Sequence, residues 1–339
     1  MPRRVSCSRP RSRALALALL ALAALPGAAH SQRAAALDDV ARGDSLFRRG
    51  RVFAAESAYY AAARRAPRDP VARLALGRYL AARGALRIGA VLMEEARFFG
   101  GDAKTIAAEL APVYARLGDY RSLAALPGSP LSAAERGRAE WLRDHPPGSE
   151  GPDSAAVPYE PQGGASDGLG RVTISLGGTS VRATIDPTVR GLVLDTAWAR
   201  RPELVKTFTS RSGARDGATG SASPVAVVPS AKLGELTLVN VPARLVPAGG
   251  EARARIGLDV FLDLAATFDE SAQRVTLRRG GRVARGLPGD RLVTLALPSG
   301  VWLATTTGAT SLALDRGRAP LRGKRWTLDS RRGAIVVDR

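Results

Sequence analysis

Side chains that move protons or attack carbonyl groups are few in this sequence, and their types narrow the chemistry. The only cysteine is Cys7 and the two histidines are His30 and His145. Cys7 lies in front of an apolar run rather than just behind it, so it is no lipid acceptor and is lost if that run is cleaved off. His145 opens the segment His145-Pro146-Pro147-Gly148, which reads as a linker. Without further thiols or imidazoles the sequence excludes disulfides, cysteine nucleophiles, cysteine-ligated zinc, Ser-His-Asp catalysis and histidine metal clusters. Phosphate-loop chemistry fares no better: the stretch Gly317 to Gly323-Lys324-Arg325 has the wrong spacing, with Arg325 where Ser or Thr would hold magnesium. No metal and no cofactor is expected, and carboxylate chemistry is the main catalytic option left.

The N-terminus sets the compartment. Arg3, Arg4, Arg9, Arg11 and Arg13 precede the unbroken apolar run Ala14 to Leu25, followed by Pro26-Gly27-Ala28-Ala29. This order predicts a secretory signal over residues 1–31, removed near Ala29 or Ser31, and hence a periplasmic or extracellular protein. Its apolar run spans about 18 Å as a helix, short of the ~30 Å hydrocarbon core, so no membrane span is expected after cleavage. Cleavage takes five arginines and no acid, lowering the formal charge from +19 to +14. Only Lys104, Lys206, Lys232 and Lys324 among 50 basic residues are lysines. Such arginine-rich usage is what a GC-rich genome produces without functional pressure, and no nucleic-acid partner is expected for an exported chain.

The 339 residues are enough for two folded units, and 45% hydrophobic with 24% charged residues is the composition of a globular chain. Residues 33–145 carry alanine-rich apolar positions at helical spacing. Gly50, Gly84 and Gly118 recur every 34 residues, each opening a turn-like triplet, and Gly43 with Gly77 and Tyr59 with Met93 keep the same offset. That period is the mark of stacked helix pairs, and this segment resembles the tetratricopeptide repeat family. Two repeats match over most of the motif and a third only around its first helix and turn. The resemblance implies a concave interaction surface, which Tyr59, Tyr60 and Tyr79 would line unless they form inter-helix core.

Residues 146–170 are rich in Pro, Gly, Ser and Asp and read as a linker. Beyond them come short β-branched runs bounded by glycine, which predict an all-β unit. A strand pair ends in Ile185-Asp186-Pro187-Thr188, followed by Leu192-Val193-Leu194 and the glycine-rich stretch Gly213 to Gly220. The unit closes with Arg255-Ile256-Gly257-Leu258-Asp259-Val260-Phe261, Thr267-Phe268-Asp269 and Arg274-Val275-Thr276-Leu277. In this order of parts, residues 171–285 resemble the bacterial retropepsin-like aspartic protease family. A shorter second copy follows over residues 290–339: Val301 to Asp315 aligns without a gap on Val181 to Asp195, placing Thr306 opposite Asp186 at an offset of 120 residues. The expected fold class is therefore multidomain α and β, with tetratricopeptide-like helices followed by an all-β retropepsin-like acid-protease domain that has a reduced second lobe.

Enzymes of that kind hold two carboxylates about 3 Å apart so that they share one proton and activate a water. The resemblance makes Asp186 the first acid. It places substrate contacts at a flap carrying Gly213, Gly217 and Gly220 and at Gly308 and Thr310. The first loop departs from Asp-Thr-Gly, with Pro187 at the threonine position and Thr188 where glycine lets two loops meet. In the second, Thr307-Gly308 survives while the acid is Thr306, whose hydroxyl cannot exchange a proton near neutral pH. Loss of one positioned acid–base group costs about 10²–10⁴-fold in rate. The sequence thus points to a catalytically degenerate protein acting on a peptide or protein ligand by binding. The alternatives are an endopeptidase completed by a homodimer that pairs two copies of Asp186, and an envelope scaffold. Asp259 and Asp269 are expected to cap turns, and Trp198, Trp302 and Trp326 to fill core or the lobe interface.

Overall fold

The computed structural model describes residues 25–161, 168–208, 224–247, 254–261, 263–280, 290–297, 300–305, 311–313, 321, 323–329 and 334–338. Residues 1–24 of the expected signal, the flap glycines Gly213, Gly217 and Gly220, and Thr306, Gly308 and Thr310 of the second loop lie outside them.

Among the described residues seven helices come first: α1 (Leu25–Arg48), α2 (Val52–Arg65), α3 (Pro70–Ala82), α4 (Leu86–Phe98), α5 (Ala103–Leu117), α6 (Tyr120–Ala125) and α7 (Ala133–Asp144). Local chemistry sets their starts. Asp69, Asp102 and Asp119 each accept hydrogen bonds from free backbone N–H groups of the following first turn, and Ser132 with Glu135 forms a reciprocal capping box. Gly50, Gly84 and Gly118 all have φ near +70 to +90°, so the 34-residue period falls on the left-handed turns between paired helices.

The contact inside each pair repeats too. A Cβ on Gly43 would lie 2.6 Å from the Tyr59 ring, and one on Gly77 would lie 3.0 Å from Met93. Tyr59 and Tyr79 are core residues, while Tyr60 is exposed. The third pair is shortened: α6 has six residues against 14 in α2 and 13 in α4, and Leu126-Pro127 ends it. No described helix is long and apolar enough to cross a membrane.

The β-rich part follows, as expected. Its strands are β1 (Gly148–Glu150), β2 (Ser154–Glu160), β3 (Gly170–Leu176), β4 (Thr179–Ile185), β5 (Leu192–Asp195), β6 (Lys206–Phe208), β7 (Val225–Leu233), β8 (Leu236–Val246), β9 (Ala254–Ile256), β10 (Leu264–Asp269), β11 (Arg274–Arg279), β12 (Asp290–Leu297), β13 (Gly300–Thr305), β14 (Ser311–Ala313), β15 (Arg325–Asp329) and β16 (Ala334–Val337). Six of them close a mixed barrel. β3 pairs with β4, β4 runs parallel to β9, β9 is antiparallel to β5, β5 is parallel to β8, β8 pairs with β7, and Ser175 opposite Lys232 returns β7 to β3.

Strands β1 and β2 lie within residues 146–170, whose composition reads as a linker. β2 buries Ala155, Val157 and Tyr159 in alternation while Ser154, Ala156, Pro158 and Glu160 face out, and it pairs with β11. Pro158 sits on the exposed side and offers no N–H, so it tolerates a strand that composition alone reads as a breaker.

The second copy is visible in the pairing. β12 and β13 form a hairpin at the 120-residue offset from β3 and β4, and β15 with β16 repeats β10 with β11. The two copies meet where β10 pairs antiparallel with β15, centred on Thr267 opposite Thr327, whose hydroxyl oxygens are 2.9 Å apart. Trp326 is 1% exposed and stacks on Phe268 at 4.0 Å, which makes it a lobe-interface core residue. The helical unit packs on both copies: Phe208 and Val227 join the core around α5 to α7, and Leu295 of β12 joins the core of α1 to α3.

Candidate functional site

Asp186 follows directly on β4. Its backbone N–H donates to the Ile256 carbonyl at 2.9 Å, extending the parallel pairing of β4 with β9 by one bond. Its side chain then turns back on its own loop. One carboxylate oxygen, Oδ1, accepts from the Thr188 N–H at 2.8 Å and from the Thr188 hydroxyl at 2.6 Å. The other, Oδ2, lies 3.4 Å from Arg255 Nη1. The proline at position 187 is buried. Such an Asx-type turn is what a short acid does when a loop N–H lacks a backbone partner.

Arg255 was not singled out for this role by sequence, and no local signal could have found it. It stands 69 residues from Asp186, and only the insertion of β9 between β4 and β5 places it opposite Thr184, within reach of the carboxylate.

The far side of the loop is held just as firmly. Gly191 has φ +62°, and a Cβ there would lie 2.1 Å from the Pro242 carbonyl oxygen, so glycine is required. Its carbonyl accepts from the Gly257 N–H at 2.8 Å, and its own N–H donates to both oxygens of Asp259 at 2.9 and 3.0 Å. Asp259 therefore caps a loop 68 residues away rather than its own turn. Burial pushes its carboxyl above the ordinary carboxylate range, against the Gly191 N–H and the charges of Arg190 and Arg116, which pull it down. Asp269 caps the turn after β10, accepting from the Ser271 hydroxyl and the Ala272 N–H, and those bonds hold its carboxyl below the usual range.

Chemically, the arrangement holds one acid with both oxygens engaged. Among the described residues no hydrogen bond or ion pair joins Asp186 to a second carboxylate. In the second copy β13 pairs directly with β14, Ala304 opposite Ser311. In the first copy β9 separates the corresponding strands β4 and β5.

No family model matches the chain, and no curated protein matches it. The crystal structure of a retropepsin-like aspartic protease from Rickettsia conorii is similar to this chain with a TM-score of 0.26 and 11% sequence identity, over 39% of this chain and 93% of that one.

Proposed function

We propose that this chain is an exported binding protein for a peptide or partner protein, built on an aspartic-protease-like barrel that no longer cleaves. The observation that carries the reading is the state of Asp186: its carboxylate caps Thr188 and faces the Arg255 guanidinium, with no second acid bonded to it among the described residues. A two-acid mechanism needs one carboxyl to give a proton while the other takes it. A capped acid beside a cation has neither partner.

The helical unit supports the binding half of the proposal. All the exposed large apolar residues among the described ones, Leu37, Tyr60, Val71, Ile88, Val91 and Phe98, belong to it. Val91 and the 84% exposed Phe98 line a groove of about 1070 Å³ between α4 and the corner of α5 and α6. An apolar groove with a charged rim, here Arg87, Arg97 and Asp119, suits an amphipathic segment of a partner.

The test is hydrolysis of a mixed peptide library across acid and neutral pH, read by mass spectrometry. No cleavage above background is expected from the wild-type chain or from Asp186→Asn. Cleavage that pepstatin blocks and Asp186→Asn abolishes would replace the binding reading with the homodimeric endopeptidase. Retention of library peptides by the wild-type chain should weaken in Phe98→Asp.

A further inference from the structure

The junction of the helical and β units holds a second cavity, of about 280 Å³, which meets the lining of the α4 groove only at Leu117 and Gly118. The corner between α5 and α6 supplies Arg116 and Tyr120 on one side, and Gly191, Asp259 and Asp263 line the other. Its hydrogen-bonding groups are unbalanced. Arg116 donates one bond, from Nη1 to the Ala81 carbonyl at 3.2 Å, and among the described residues its other donors have no partner.

Tyr120 is 7% exposed, and its hydroxyl has no hydrogen-bond partner among the described residues. It is not among the side-chain atoms sealed from solvent without a partner, so it keeps access to the cavity it lines. On the acceptor side, Asp259 already receives the Gly191 N–H on both oxygens, and Asp263 has an interaction of its own.

Arg116, Arg138 and Arg190 lie near Asp259, which lines the cavity together with Asp263, and burial favours the neutral form of Asp259. Arg116, Arg138 and Arg190 all feel the Asp259 charge, yet no ion pair within 4 Å joins any of them to it among the described residues. Desolvation lowers the Arg116 pKa to about 10 and also lowers that of Arg138. Guanidinium groups partly removed from water that share one carboxylate beyond ion-pair distance are under-compensated, and an oxyanion that accepts their N–H groups relieves the cost. At about 30 Å³ per water, the cavity has room for roughly nine waters or one compact solute.

We propose that this cavity binds a small oxyanion, a carboxylate or a phosphate, received by the free donors of Arg116 and the Tyr120 hydroxyl, with Arg138 and Arg190 adding positive potential. Such a ligand would bridge the helical unit to the loop that runs from Asp186 to Gly191, and so stabilise the junction. The proposal is independent of whether the Asp186 loop cleaves anything.

The experiment is calorimetric titration and thermal melting of the full chain with sodium acetate and with inorganic phosphate, against sodium chloride at matched ionic strength. A saturable response to at least one oxyanion is expected. Acetate alone would identify a carboxylate site and phosphate alone a phosphate site.

Arg116→Gln should weaken binding at least about tenfold, the scale of one charged hydrogen bond, and Tyr120→Phe by a smaller factor. Arg64→Gln, at an exposed position of α2, should bind as wild type does. Absence of saturation with both anions overturns the proposal. So does a rise in melting temperature shared equally by every variant, which is the general effect of an excluded salt. If Arg116→Gln does not fold, Tyr120→Phe decides, because it keeps the ring packing and removes only the hydroxyl. Unchanged affinity in that variant then counts against the site.

Discussion

Replacing Asp186 by asparagine and by alanine separates a loop cap from a catalytic acid. Asparagine retains one oxygen able to accept both the Thr188 N–H and the Thr188 hydroxyl, and loses only the attraction to Arg255. That pair spans 3.4 Å and its arginine side chain is 40% exposed, so screening leaves it worth at most about 1 kcal/mol. Alanine removes both accepted bonds as well. Water can reach the exposed Thr188, so each bond is worth about 0.5–1.5 kcal/mol net, and the alanine variant should be less stable by about 2 kcal/mol. For a unit of this size that corresponds to about 4–8 °C in melting temperature. Thermal and urea unfolding of the three chains measures both values. An alanine variant as stable as the wild type, or more stable, would refute the cap, since relief on losing an acid is the behaviour of a group held for catalysis. Equal losses for asparagine and alanine would also refute it, because they would put the whole effect on the charge.

Three further perturbations follow from the same geometry. Gly89→Ala should lower stability by about 1–3 kcal/mol despite its better helix propensity, because the added methyl would lie 2.8 Å from Ala81 Cβ; chemical denaturation checks it. Trp326→Ala should destabilise the β unit by about 3–5 kcal/mol through loss of the stack on Phe268, while Trp326→Phe should cost far less, because it also removes an indole N–H that is buried without an acceptor. Asp259 has a raised folded-state pKa, so the folded chain holds its proton above the ordinary carboxylate range. Its contribution to stability should therefore be greatest at low pH and fall as pH rises from about 4 through the raised value. Urea midpoints measured against pH should fall less steeply over that window in Asp259→Asn.

The helical half was largely legible because its signals are local. A 34-residue glycine period can only be kept if each glycine does the same job, and all three sit at positive φ in the turn that reverses the chain. The repeated pairs Gly43 with Tyr59 and Gly77 with Met93 lie within one helix pair each, so sequence spacing and spatial contact coincide. The strand β2 was hidden by composition: Pro158 and the neighbouring Gly, Ser and Asp outweighed an alternation of three apolar residues whose burial depends on β11, more than a hundred residues on.

The residue types and their order determined a good deal by themselves: helices then strands, a duplicated strand hairpin, a single cysteine and two histidines that leave little for thiol or imidazole chemistry, and a threonine aligned with the candidate acid. Tertiary structure decided what that acid touches. Arg255 reaches Asp186, Asp259 holds Gly191, and Arg116 comes to line the junction of the helices with the first copy only because β9 returns between β4 and β5 and the helical unit docks against the barrel. Those contacts join residues far apart in the chain, and their energies depend on distance, burial and shared charge, none of which has a periodicity that sequence can display.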